Sequence, residues 1–119
     1  MITIYHNARC SKSRAACSLI AETLNISGEP VRIVEYLKHP PTVEELKELH
    51  RMLGGSVRDM IRDNEPIYDD LGLAATGFTD AALYEAIARH PMLLQRPIVT
   101  RNGRAVIGRP PEAVRALFE

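Results

Sequence analysis

Cys10 is the residue in this chain best placed to act as a nucleophile. It stands in the segment His6-Asn7-Ala8-Arg9-Cys10-Ser11-Lys12-Ser13-Arg14, which joins an apolar run, Ile2-Thr3-Ile4-Tyr5, to a helical pattern. A cysteine at the start of a helix faces unsatisfied N–H groups and the positive end of the helix dipole, and both favour thiolate over thiol. His6, Arg9, Lys12 and Arg14 can add positive charge to the same stretch. The alternative is a buried, inert cysteine, the commoner state of a lone thiol; the polar, cationic neighbours speak against it. The second cysteine, Cys17, falls on the apolar face of the helix pattern and reads as a small core residue. From Cys10 to Cys17 a helix rises two turns, roughly 10 Å, whereas a disulfide needs Cα atoms closer than ~7 Å. A Cys10–Cys17 bond would require the helix to unwind.

The elements that must position Cys10 follow from hydrophobic period. Ile2 to His6 alternates and is rich in β-branched residues, which predicts a strand. From Ser13 the period lengthens, with Ala16, Ile20 and Leu24 on one side and Gly28 past the end, the pattern of a helix of about three turns. Residues 31–36 alternate again as a second strand, so the chain makes a βαβ unit with parallel pairing and a right-handed crossover. Pro40-Pro41 closes it. Thr42-x-x-Glu45 is a capping box for a helix with Leu46, Leu49 and Leu53 on one face, ended by Gly54-Gly55. Ser56-x-x-Asp59 opens a short helix through Val57, Met60 and Ile61 that delivers Arg62. Residues 65–78 read as irregular, and Thr79 caps a helix with Ala82, Leu83, Ala86 and Ile87 inward, stopped by Pro91. Asn102-Gly103 then marks a two-residue hairpin turn between strands at 97–100 and 105–107. Pro97 opens the first of these strands, where a missing N–H is tolerable and a cis Arg96–Pro97 bond fits. Pro110-Pro111 starts a last helix with Val114, Leu117 and Phe118 inward. The expected fold is α/β, a βαβ…ββα chain with an all-helical insertion at about 42–90 between the second and third strands.

Composition bounds the function. The chain has 119 residues, which suit one domain spanning 1–119, and 15 Lys and Arg balance 15 Asp and Glu. A neutral balance removes the expectation of a nucleic-acid-coating or membrane-binding surface. Two cysteines without a Cys-x-x-Cys or zinc spacing speak against a disulfide framework and a structural metal. With no leader pattern and no apolar run near the ~20 residues a bilayer requires, the expected location is a reducing cytoplasm.

A βαβ unit, a proline-led hairpin and a closing helix follow the thioredoxin-like plan, with a reactive cysteine after the first strand as in glutaredoxin-like proteins. His6-Asn7-x-x-Cys10-x-x-Ser13-Arg14, Tyr36-Leu37, Pro40-Pro41-Thr42, Val57-Arg58 to Arg62, Gly72-Leu73, Phe78-Thr79-Asp80, His90-Pro91, Arg96-Pro97-Ile98-Val99 and Arg109-Pro110 occur in order. Together they resemble the glutaredoxin-coupled arsenate reductases over nearly the whole length. The resemblance implies that Cys10 is the catalytic cysteine and that Arg62, Arg96 and Arg109 bind the oxyanion. It matches His6 to a histidine that favours the thiolate and Ser13 to a serine beside the sulfur. It implies arsenate as substrate, glutathione as co-substrate, glutaredoxin as partner and no bound cofactor. On the residues alone, the commoner reading of each arginine is a solvated surface side chain, with Arg96 beside Pro97 as the best exception. Arginine does suit a multiply charged oxyanion, because its fork stays protonated and bonds in pairs. At Arg9, Ser11 and Lys12 the chain departs from the small, uncharged residues of well-studied members, the pattern of a side branch. Two other functions share the scaffold: a thiol oxidoreductase of other substrates, since Cys10-x-x-Ser13 resembles a monothiol motif, and a redox-linked transcription regulator. Regulators of this fold usually carry Cys-x-x-Cys and lack the arginines.

Overall fold

Strand β1 (Ile2–His6) carries its two isoleucines inward, Ile2 and Ile4 being fully buried. It ends where the Cys10 loop begins. The computed structural model describes residues 1–119, which form two compact units: Met1–His39 with Arg96–Glu119, and Pro40–Gln95. In the first unit, α1 (Ser11–Leu19) runs into a wider π-type turn at Ile20–Leu24 before the chain enters β2 (Val31–Glu35). The hairpin of β3 (Ile98–Arg101) and β4 (Arg104–Ile107) and a 3-10 helix at Pro111–Phe118 complete it. Strand order is β2-β1-β3-β4, with β1 parallel to β2 and antiparallel to β3, and β3 antiparallel to β4. Helix α1 and the C-terminal helix share one core with the sheet, where Ile2, Ile4, Ala16, Ile20, Val99, Val114 and Leu117 are buried together. Each large aliphatic side chain among them contributes about 1.5–3 kcal/mol on full burial. Arg101 locks the end of the unit, donating from Nε to Glu29 Oε2 at 2.7 Å and from Nη1 to the Leu117 carbonyl at 2.7 Å.

The hairpin turns as expected, through Asn102 (φ 53°) and Gly103 (φ 75°), the left-handed pair that suits two-residue hairpins. The Arg96–Pro97 peptide is cis, and so is Arg109–Pro110, for which the sequence offers no separate signal. Two strand and helix limits differ from expectation: α1 begins at Ser11 with Cys10 as its N-cap, and β2 stops at Glu35, leaving Tyr36 beyond the strand and wholly buried.

The second unit is helical, and the segment expected at 42–90 lies within it. Helix α2 (Val43–Leu53) opens with the full capping box, Thr42 Oγ1 accepting the Glu45 N–H at 3.1 Å and Glu45 Oε1 accepting the Thr42 N–H at 3.4 Å. A second box at Ser56 and Asp59 opens a single 3-10 turn, Val57–Met60. Residues 65–78 are not wholly irregular: α3 (Pro66–Asp70) is a short helix with proline in its first turn. Arg58 stabilises the stretch after α3 by donating to the carbonyls of Leu73 and Ala75. In α4 (Asp80–Arg89) the buried face is Leu83, Tyr84 and Ile87, and Ala82 is exposed. Tyr84 is drawn inward by His50, whose Nδ1 lies 2.5 Å from its hydroxyl. No helix of the chain is long and apolar enough to cross a membrane.

Candidate active site

Asn7 sets the shape of the loop that presents Cys10. Its side-chain Oδ1 accepts the Arg9 N–H at 2.9 Å and its carbonyl accepts the Cys10 N–H at 3.0 Å. Arg14 straps the loop from the helix side by donating from Nη1 to the Ala8 carbonyl at 2.9 Å. These bonds are local, so a short stretch of sequence suffices to build the turn.

At the head of α1, Cys10 takes extended geometry (φ −91°, ψ 122°) and its carbonyl accepts the Arg14 N–H, the first helical bond. Its side chain makes no regular cap hydrogen bond, yet the amides of Ser13 and Lys12 act on the sulfur. Burial opposes the negative charge, but the Ser13 amide, the Arg96 side chain and the Lys12 amide outweigh it and hold the Cys10 pKa below the ordinary thiol value. The helix terminus thus supplies what the sequence implied.

Two arginines from the far end of the chain meet at this sulfur. Arg109 Nη1 lies 4.0 Å from Cys10 Sγ and donates to the Arg96 carbonyl at 3.0 Å. The Arg96 side chain bonds both Cys10 and the hydroxyl of Tyr36; burial works against its charge, but these two partners keep its pKa above the ordinary value. A tetrahedral anion at Cys10 would find two fork-shaped donors there. Gly108, next to Arg109, allows close packing: a Cβ there would stand 2.8 Å from Pro97 Cγ and 3.2 Å from Val114 Cγ1.

A model of the ArsC family matches residues 5–117. The chain belongs to the ArsC family. An arsenate reductase of Neisseria meningitidis is 47% identical over 118 residues, covering 98% of this chain and 97% of that one. An arsenate reductase of Escherichia coli is 42% identical over 113 residues, covering 95% of this chain and 77% of that one. Among solved structures, an arsenate reductase from Vibrio cholerae aligns with a TM-score of 0.89 at 43% identity, covering 98% of this chain and 96% of that one. The thioredoxin-like ArsC architecture expected from the sequence is therefore the one found.

Within this ArsC family chain, Ser13 is fully buried and links two groups to the helix that carries Cys10. Its Oγ accepts the Asn7 N–H at 3.1 Å and lies 2.6 Å from His6 Nδ1. His6 sits where burial works against a charged ring. Burial lowers its pKa, Glu35 raises it in part and Arg14 lowers it further, so the neutral ring is favoured over the charged one. Facing the Ser13 hydroxyl, the ring is placed to hold that side chain. Cys17 is half-buried against the first unit's core, 3.6 Å from His6 Nδ1, and burial raises its pKa. Both thiols are free.

Arg62 belongs to the helical unit. It is almost buried, its N–H donates to the Leu93 carbonyl at 2.7 Å, and its Nε pairs with Glu65 Oε1 at 3.0 Å. Arg9 and Lys12 are exposed. Tyr36 is a site residue to which the sequence assigned no role: by pattern it looks like the end of a strand, and its one signal is the Tyr36-Leu37 motif of the family resemblance. No three His, Cys, Asp or Glu side chains come together as a metal site would need.

Proposed function

We propose that this chain reduces arsenate to arsenite through Cys10, with glutathione and glutaredoxin as reductants in a reducing cytoplasm. The observation that carries this reading is a thiol of lowered pKa at a helix N-terminus with Arg96 and Arg109 meeting at its sulfur. The similarity to arsenate reductases at 42–47% identity supports the choice of oxyanion. In the first step the Cys10 thiolate attacks the dihydrogen arsenate monoanion, forming an S–As bond and releasing hydroxide, while the arginine forks neutralise the oxygens. Arg62 is the third oxyanion ligand in this reading, and His6 and Ser13 hold the cysteine loop. Glutathione then attacks the Cys10 sulfur: the S–S bond forms, the S–As bond breaks with its electron pair passing to arsenic, and the dihydrogen arsenite monoanion leaves carrying the thiol proton. Glutaredoxin frees Cys10 by thiol exchange. An external reductant is required because Cys17 is half-buried, weakly acidic and on the same helix. No bound metal, flavin or nucleotide enters these steps.

The test is arsenate-dependent NADPH oxidation by the purified protein with glutathione, glutaredoxin and glutathione reductase. Turnover that requires arsenate and vanishes in Cys10→Ser is expected. Oxidation independent of arsenate, with Cys10 still reactive, would replace this reading with a thiol oxidoreductase of other substrates.

A further inference from the structure

The chemistry above needs a second ligand, a thiol, delivered to the Cys10 sulfur. We infer that the cavity beside the Cys10 loop seats that thiol, and that its charges select a molecule with two carboxylates and one ammonium group, the charge set of glutathione. This inference rests on the reading of Cys10 as a nucleophile resolved from outside. The cavity encloses about 330 Å³ between His6, Ala8 and Arg9 on one side and Glu35, Leu37 and Lys38 at the end of β2 on the other. That volume falls within the ~300–1,000 Å³ of small-ligand sites. Residues 7–9 form its wall and Cys10 comes next in the chain, tied to that wall by the Cys10 N–H to Asn7 carbonyl bond. Any thiol held there lies against the loop that carries the nucleophile.

The cavity's charges are the mirror of the ligand's. Arg9 is exposed and makes no ion pair, its only hydrogen bond being that of its backbone N–H. Lys38 pairs with Glu35 at 3.6 Å, but both side chains are well exposed, at 70% and 45%. Such a surface pair is worth little and opens readily to a competing ligand. Two cations and one carboxylate therefore face two carboxylates and one ammonium. The same set disfavours the oxyanion, because Glu35 repels a multiply charged anion and welcomes an amine. Arsenate and thiol thus have separate seats, with Arg96 and Arg109 at the sulfur and Arg9 and Lys38 beside the loop.

The test needs neither arsenate nor glutaredoxin. The full-length protein is mixed with glutathione disulfide or with neutral hydroxyethyl disulfide, and the mixed disulfide on Cys10 is followed by mass spectrometry. In each case the thiolate displaces one thiolate of the disulfide, so both reactions report the same nucleophile. Arg9→Ala and Lys38→Ala should each slow the reaction with glutathione disulfide about threefold and together about tenfold, as exposed charge pairs allow. The rate with hydroxyethyl disulfide should stay within about twofold, and high salt should erase the difference. Equal losses with both disulfides, or no loss with glutathione disulfide, would overturn the assignment. A protein that reduces arsenate yet shows no preference contradicts the cavity alone, and one that shows the preference without reducing arsenate contradicts only the substrate.

Discussion

Replacing Arg96 by lysine separates the two tasks assigned to that side chain. Lysine keeps the charge and loses the planar fork that reaches both Tyr36 and Cys10. A hydrogen bond to a charged group is worth about 1.5–3 kcal/mol when buried. Cys10 is part-exposed, and solvent screening reduces this to about 1 kcal/mol, or about fivefold in thiolate population. Alkylation of Cys10 by iodoacetamide at pH 7 should therefore slow about fivefold. Loss of a preorganised donor to the oxyanion costs more, about 10²–10³ in kcat by analogy with oxyanion holes. The kcat/KM for arsenate in the coupled assay should fall about 100-fold, well beyond the alkylation loss. Equal losses in the two assays would mean that Arg96 acts only through the thiolate, and no loss in turnover would remove it from the oxyanion site.

Cys17→Ala should keep arsenate turnover within about twofold and cost about 1 kcal/mol of stability, since a half-buried sulfur of raised pKa only packs; a severe loss in a well-folded variant would make Cys17 a participant. Gly108→Ala should lower Tm by roughly 5–10 °C through overpacking against Pro97 and Val114 and should weaken turnover by shifting Arg109; an unchanged Tm would contradict the contact. The lowered pKa of His6 means that the stability it contributes as a neutral ring is intact above the unfolded value of about 6.5 and is lost as pH falls through the folded value. His6→Gln should therefore lose Tm less steeply than the parent between pH 7 and pH 5, and a parallel or steeper decline would refute the sign.

Signals carried within one turn of chain were legible in the sequence. Thr42 with Glu45, Ser56 with Asp59, and Asn102 with Gly103 all form as their residue types dictate, because each pattern is satisfied by neighbours in the chain. Cys10 at a helix start belongs to the same class. Features decided by distant partners were not legible. Tyr84 takes the buried place expected of Ala82 because His50, 34 residues away, receives its hydroxyl. Helix α3 lacks a side-chain cap, and the turns after it depend on Arg58 reaching carbonyls 15 and 17 residues ahead. The meeting of Arg109 with Cys10 spans 99 residues, so only the family resemblance, not pattern, could single out that arginine. At His6, burial, which local sequence does not display, lowers the pKa of the ring.

The central claim is that Cys10 attacks arsenate and is then taken up by an external thiol. A single turnover without glutaredoxin tests it: protein, arsenate and glutathione are mixed, arsenite is quantified, and the protein is mapped by mass spectrometry. The account predicts about one arsenite per chain, matched by one glutathione on Cys10 and none on Cys17, with neither appearing when arsenate is omitted. Arsenite formed without glutathione on Cys10, or accompanied by a Cys10–Cys17 disulfide, would contradict it.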